Sequence, residues 1–415
     1  MKLLSVVLGV MVSTACSGDP GADPGSGDPG SEDMQTAALV GPFEMLRQVG
    51  HDDHAARGAG APAVRRALGH GADRLASLQA DTIGDNARNG LVDTDPDDSG
   101  WDFVFPSTTT SHTAAASPPN LYGETALGLW AAVVTGSAGN RALLAAVDAG
   151  LGMQGNPDID SPPDFAFGVL LAELADNPGF AEIARARYDA RRAAQGGAAG
   201  LGAFIRDSRH AGDEDGLIAY DVGWLAISAA ALDAAFPGAG YGVDSQTYSQ
   251  IVVDDLIAAA PDFDLDDPTE GFYVIGLAWS QVAASRAGAG DLLRDIRNRL
   301  VDQQRSNGAW PTSATQAADD VQSTAIAVET LALTDQLNGR ARRALRRGVR
   351  FLLGEQAATG GWPDVAGNEL PLVDAEIMLG LMLARTPEGK DGLTPDALAR
   401  TGAPAEPGPR AAPLP

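Results

Sequence analysis

A chain of 415 residues, 44% of them hydrophobic, is long enough to bury a large core. Its 29 basic and 55 acidic residues leave a formal net charge of -26, which excludes nucleic acid as the expected partner because phosphate contacts need Lys and Arg. The single cysteine excludes disulfides within the chain and Cys-based zinc sites, so the fold has to rest on core burial.

In chain order, Met1-Lys2 supplies a short positive region, and Leu3 to Val12 is an apolar run too short to span a bilayer but suited to a signal-peptide core. Ser13-Thr14-Ala15 then place small residues before Cys16. This resembles the lipobox of bacterial lipoproteins, with Ser13 where that pattern prefers Leu. The resemblance implies that residues 1–16 hold the signal peptide and lipobox. It also implies that Cys16 carries the lipid and that the chain is extracytoplasmic, held to a membrane through that lipid. Ser17 after the cysteine is similar to outer-membrane sorting in some Gram-negative bacteria. Residues 17–36, which open SGDPGADPGSGDPGSED, cannot bury apolar area and read as a disordered tether. Residues 386–415 read as a disordered Pro-rich tail, which leaves 37–385 for the folded domain.

Within that span the sequence repeats at a period of about fifty residues. In the clearest copy, Ala341 to Gln356 is a basic-faced amphipathic helix, TGGWPD a glycine loop, and Leu372 to Arg385 a mostly apolar helix. The preceding unit repeats the order with Leu292 to Gln304, SNGAWPTS and Asp320 to Leu333. One two-sided and one all-round apolar helix per unit is the pattern of an outer and an inner ring. Fainter apolar helices begin near Tyr122, Asp164, Asp221 and Gly271, with amphipathic partners at Val64 to Gln79, Arg141 to Met153, Phe180 to Arg192 or Leu201 to Arg209, and Ser245 to Ala259. The expected fold is all-α, an (α/α)6 toroid of six helix pairs.

Gln356, Gly360 and Trp362, after the run Arg347 to Leu352, resemble the QW motif of squalene and oxidosqualene cyclases; Gln304, Gly308 and Trp310 form a shorter copy. The resemblance, clearest over 292–385, is to the terpenoid cyclase and protein prenyltransferase toroids, and it gives these Gln and Trp residues a structural role. In class II cyclases a DxDDTA motif carries the proton donor. Here Asp320-Val321-Gln322-Ser323-Thr324-Ala325 stands in its place, with Gln322 where the acid belongs, and an amide is no strong Brønsted acid. A literal DxDD occurs as Asp264-Leu265-Asp266-Asp267, followed by Glu270, and these four acids are the candidate catalytic carboxylates. With no histidine after His210 and no second cysteine, the prenyltransferase zinc site cannot be assembled in the last repeats.

Acidic residues recur at the starts of the apolar helices, at Glu124, Asp164, Asp221, Glu270, Asp320 and Asp374, where N-capping alone would also put them. With Tyr122, Phe165, Tyr220, Trp224, Phe272, Tyr273 and Gln322 they are the residues expected to line a central cavity. The expected occupant is a small apolar or carbohydrate ligand, or a protein partner. Two functional readings stand: a lipid-anchored toroid that binds its ligand and lacks the cyclase acid, or an (α/α)6 enzyme, cyclase-like or carbohydrate-active, that uses cavity carboxylates. No cofactor is expected except possible calcium at Asp93, Asp95 and Asp97, whose alternating spacing suits either a hard cation or a solvated acidic loop.

Replacing Cys16 with Ser should abolish incorporation of labelled lipid and leave the precursor unprocessed; unchanged size and membrane association in cell fractions would refute the lipobox reading.

Overall fold

The computed structural model describes residues 43–44, 46–47, 62–78, 105–106, 162–334, 337–364 and 367–385. Cys16, the tether, the tail, Asp93, Asp95, Asp97, Tyr122 and Glu124 lie outside the described residues, as does the expected helix at Arg141 to Met153.

The described chain is helical: α1 (Pro62–Leu78), α2 (Asp164–Ala175), α3 (Gly179–Ala194), α4 (Ala198–Ala211), α5 (Ile218–Ala235), α6 (Tyr241–Leu256), α7 (Tyr273–Arg286), α8 (Gly290–Asp302), α9 (Val321–Leu333), α10 (Gly339–Glu355) and α11 (Pro371–Arg385). Its strands are β1 (Phe105–Pro106) and β2 (Asn368–Glu369), paired antiparallel. The protein is an all-α, α/α toroid. The stretch that contains α5 is long and apolar enough to cross a membrane, but it is mostly buried in the protein, as a core helix is.

Composition sorts the helices into layers. From Ser323 to Leu333 every residue of α9 is buried, and α5 and α7 are buried almost all round. A helix without a polar face needs neighbours on every side. The inner helices supply them to one another, α2 packing on α5, α5 on α7, α7 on α9 and α9 on α11. The outer helices are two-faced. Helix α10 buries Ala341, Ala344, Leu345, Gly348, Val349 and Leu352 and turns its arginines outward. Outer helices α3, α6, α8 and α10 pack on α2, α5, α7 and α9. Both sequence alternatives for one outer helix form: Phe180 to Arg192 lies in α3 and Leu201 to Arg209 in α4.

The last inner helix, α11, packs on α1, so the first of these helices in the chain is the outer partner of the last. Two equivalent turns show how. After α8, the Gln304 carboxamide donates to Gly308 O (2.9 Å) and to Ala344 O of α10 (2.8 Å), while the Trp310 indole donates to Leu300 O (2.7 Å). After α10, Gln356 donates to Gly360 O (2.7 Å) and to Ala67 O of α1 (2.8 Å), while the Trp362 indole donates to Leu352 O (2.7 Å). Gly308 and Gly360 take φ of 100° and 103°, and a Cβ on either would strike the carbonyl of Arg347 or of His70. Gly348 of α10 makes room for the Trp310 ring, and Gly71 of α1 does the same for Trp362. Thus α1 stands to the Trp362 turn as α10 stands to the Trp310 turn. A buried ion pair, Arg74 to Glu369 at 2.6 Å, ties α1 to β2, and the Thr359 hydroxyl holds the second Glu369 oxygen at 3.1 Å.

Both tryptophans are fully buried, so Trp310→Ala or Trp362→Ala should cost about 3–5 kcal/mol in urea unfolding. Val243→Ala, at an exposed position, should move stability by less than about 0.5 kcal/mol.

Candidate active site

Three inner helices meet at one carboxyl group. Tyr220, in the first turn of α5, donates its hydroxyl to Glu376 Oε1 at 2.7 Å. Gln322, in the first turn of α9, donates its amide to Glu376 Oε2 at 3.0 Å. Glu376 itself lies on α11. Because α7 and α9 stand between α5 and α11 in the packing order, the Tyr220–Glu376 bond reaches across the ring. Tyr220 and Gln322 are half-buried, whereas Glu376 is only 2% exposed.

Two turns further along α9 than Gln322, about 10 Å deeper, Glu329 is fully buried, and its Oε1 has no hydrogen-bond partner among the described residues. Burial pushes Glu376 up to about 7 despite the hydrogen bonds from Tyr220 and Gln322, which favour its charged form. Burial, and then the charge of Glu376, push Glu329 well above the usual carboxylate range. Both carboxyls are thus held toward their protonated forms by burial. A row of buried aromatic rings lies behind Tyr220. Tyr220 packs edge-on to Trp279 of α7 (5.6 Å), Trp279 lies 4.8 Å from Trp224 of α5, and Trp224 lies 5.4 Å from Phe167 of α2. Among the described residues the Trp279 indole nitrogen and Gln281 Oε1, both on α7, are also buried without hydrogen-bond partners.

Most of the acids at helix starts have other work. Asp320 caps α9, accepting from Ser323 N at 2.6 Å. Asp374 accepts from Trp362 N at 2.8 Å, and burial raises it to about 8. Asp221 pairs with Arg209 at 2.7 Å, which joins α5 to α4. Asp164 is buried in the first turn of α2, and Phe165 packs against Tyr188 of α3 in the core.

The DxDD segment is a self-bracing loop rather than a gathered acid site. Asp264 accepts from Asp266 N (2.8 Å), and Asp267 accepts from the backbone N (3.0 Å) and hydroxyl (2.6 Å) of Thr269, bonds that hold Asp267 below its ordinary value. Exposed Asp266 pairs with Arg299 of α8 at 2.8 Å, while the Tyr273 hydroxyl and Arg299 both donate to Leu265 O. Glu270 accepts from Asp264 N at 3.2 Å, and burial raises it to about 7. Phe272 is half-buried in a left-handed conformation just before α7.

Of the expected cavity residues, Tyr220 and Gln322 therefore converge, and they do so on a partner that the helix starts do not reveal. Glu376 sits in the second turn of α11 and Glu329 in the third of α9. The signal that marks them in the sequence is a lone carboxylate inside an otherwise apolar helix.

No protein-family model matches the chain, and no curated protein does. Among solved structures it is similar to a possible member of the GH105 family from Salmonella enterica serovar Paratyphi A, with a TM-score of 0.47 and 11% identity over 77% of this chain and 93% of that one. It is also similar to an unsaturated glucuronyl hydrolase responsible for the degradation of glycosaminoglycan, from Bacillus sp. GL1, with a TM-score of 0.46 and 14% identity over 77% and 95% of the two chains.

A carboxyl group whose folded value exceeds its unfolded one binds more protons in the native state between the two values, so its contribution to stability is complete below about 4.5 and is lost as pH rises through about 7. Glu376→Gln should remove a decline on the order of 3 kcal/mol across that window, read as a flatter plot of unfolding free energy against pH.

Proposed function

We propose that the ring carries out acid–base chemistry on a polar, saccharide-type ligand at the starts of its inner helices, with Glu376 and Glu329 as the carboxyl pair. The observation that carries this reading is the convergence of Tyr220 and Gln322, from two other helices, on the buried carboxyl of Glu376, with a second buried carboxyl, Glu329, on α9. Two carboxyls whose surroundings separate their proton affinities can divide the acid and base roles between them. Tyr220 and Gln322 fix the orientation of Glu376 and present hydrogen-bonding groups at the half-exposed mouth.

The cyclase-like alternative has less support. The position of the cyclase acid holds Gln322, whose amide donates a hydrogen bond to Glu376 and has no acidic proton to give to an alkene. That same observation favours the second reading, a toroid that binds its ligand without turning it over. We also propose that the mature chain is held outside the cytoplasmic membrane by lipid on Cys16 and meets its ligand there.

The full chain, incubated with a polysaccharide panel and separately with squalene, should release saccharide products and leave squalene unchanged. Glu376→Gln should lower that turnover about 10²- to 10⁴-fold, the usual range for loss of a general acid or base. Saturable saccharide binding with no product from wild type would establish the binding-only toroid.

A further inference from the structure

The outer face of the last repeat has a charge opposite to that of the chain as a whole. Helix α10 contains Arg340, Arg342, Arg343, Arg346, Arg347 and Arg350, and no acid before Glu355, in a chain whose net charge is -26. Helical spacing sets these side chains beside one another at i, i+3 and i+4, where like charges weaken a helix. Burial first, and then the charges of Arg350, Arg343 and Arg340, hold Arg347 below the usual guanidinium value. Some polar groups meet this face. Asp302 of α8 pairs with Arg340, the Gln304 carboxamide oxygen accepts from Arg347, and Asp73 is exposed on α1.

The neighbouring outer helix extends the charge. The equivalence of the two QW turns matches Ala344 with Ala67 and Arg347 with His70, so Arg342-Arg343 of α10 and Arg65-Arg66 of α1 occupy corresponding positions on adjacent helices. Arg66, Arg340 and Arg343 are exposed, and Arg65 and Arg66 border a surface hollow of about 320 Å³ at the start of α1. The positive residue of this face is arginine throughout. Its planar fork suits phosphate oxygens better than the point charge of lysine does.

We propose that the α1–α10 face docks on a phosphate-bearing bilayer surface, such as that of anionic phospholipid. The choice of a membrane over a soluble polyanion rests on the Cys16 reading: α1 follows the expected tether in the chain, so a lipid at Cys16 would keep this face near headgroups. A single acyl signal becomes a stable attachment when a basic patch joins it. Each arginine brought to an anionic surface strengthens binding roughly fivefold.

The test is a vesicle titration of the full chain, comparing equimolar phosphatidylglycerol and phosphatidylcholine with phosphatidylcholine alone. Any lipid anchor contributes to both vesicle types and to every variant, so the difference between the two reports on the arginines. The wild type should prefer the anionic vesicles at least tenfold, with the preference falling as salt is added. The Arg66→Gln, Arg343→Gln, Arg346→Gln triple variant should lose that preference, and the corresponding lysine variant should keep most of it. Circular dichroism and the thermal midpoint verify that both variants fold. Equal affinity for the two vesicles, or a preference that survives the glutamine substitutions, would overturn the proposal. So would arginine-dependent binding to polygalacturonate or to a second copy of the chain without vesicle preference. Loss of lipid labelling at Cys16 is read separately, in cell fractions, and leaves the vesicle comparison intact.

Discussion

The Gln356 carboxamide bonds at once to Gly360 of its own turn and to Ala67 of α1, and through that junction the last repeat is joined to α1. An inner helix that is apolar nearly all round needs neighbours on each side. Among the described residues α11 packs on α9 and, on its outer side, on α1. The fit is close: a Cβ on Gly71 would come within 2.9 Å of Met378 Sδ and 3.1 Å of the Trp362 ring. The buried Arg74–Glu369 pair adds direction to this packing, since removing either partner would leave an uncompensated charge inside. Glu376 lies on α11, so the geometry of the candidate site is set by the same junction.

Helix α11 and the turn before it bring three carboxyls into the interior, and each is made tolerable in a different way. Glu369 is neutralised by Arg74, Asp374 accepts the Trp362 backbone N–H, and Glu376 accepts from Tyr220 and Gln322. The first two stabilise the closing turn. Glu376 has no cation in its hydrogen-bond shell, and burial, not pairing, decides its protonation. A fold selected for stability alone would be served as well by an apolar side chain at that position. The cost of a carboxyl held half-ionised near neutrality points to use, as perturbed acids in functional sites do.

The alternation of two-faced and all-round apolar helices was legible along most of the chain, because helical burial leaves a periodic trace that needs no knowledge of partners. The Gln-Gly-Trp spacing likewise marked two turns whose residues lie within ten positions of one another. What did not show was which distant helices would meet. Nothing local in Tyr220 or Glu376 announces that they bond across the ring, and the acids at helix starts drew attention first because capping and catalysis favour the same residue types there. Asp320 caps its own helix, and Asp264 and Asp267 brace their own loop, all by contacts within a few residues. Glu329 and Glu376 could have been singled out by asking the reverse question, which carboxylates stand where no cap or solvent can reach them.

The same repeat that turns Gln322 and Glu329 inward turns the arginines of α10 outward, so the positive charge of this helix pair lies on its outer layer. In the ionised state Glu376 repels anions from the mouth, while the outer face attracts them. An anionic surface held by α1 and α10 therefore does not compete with a polar ligand for the ring. The two layers also differ in their response to salt. Exposed arginines are screened at physiological ionic strength over about 8 Å, whereas a carboxyl buried among Tyr220, Gln322 and Glu329 is screened much less. Salt would thus weaken the field of the outer face long before it reaches the surroundings of Glu376, whose protonation burial sets.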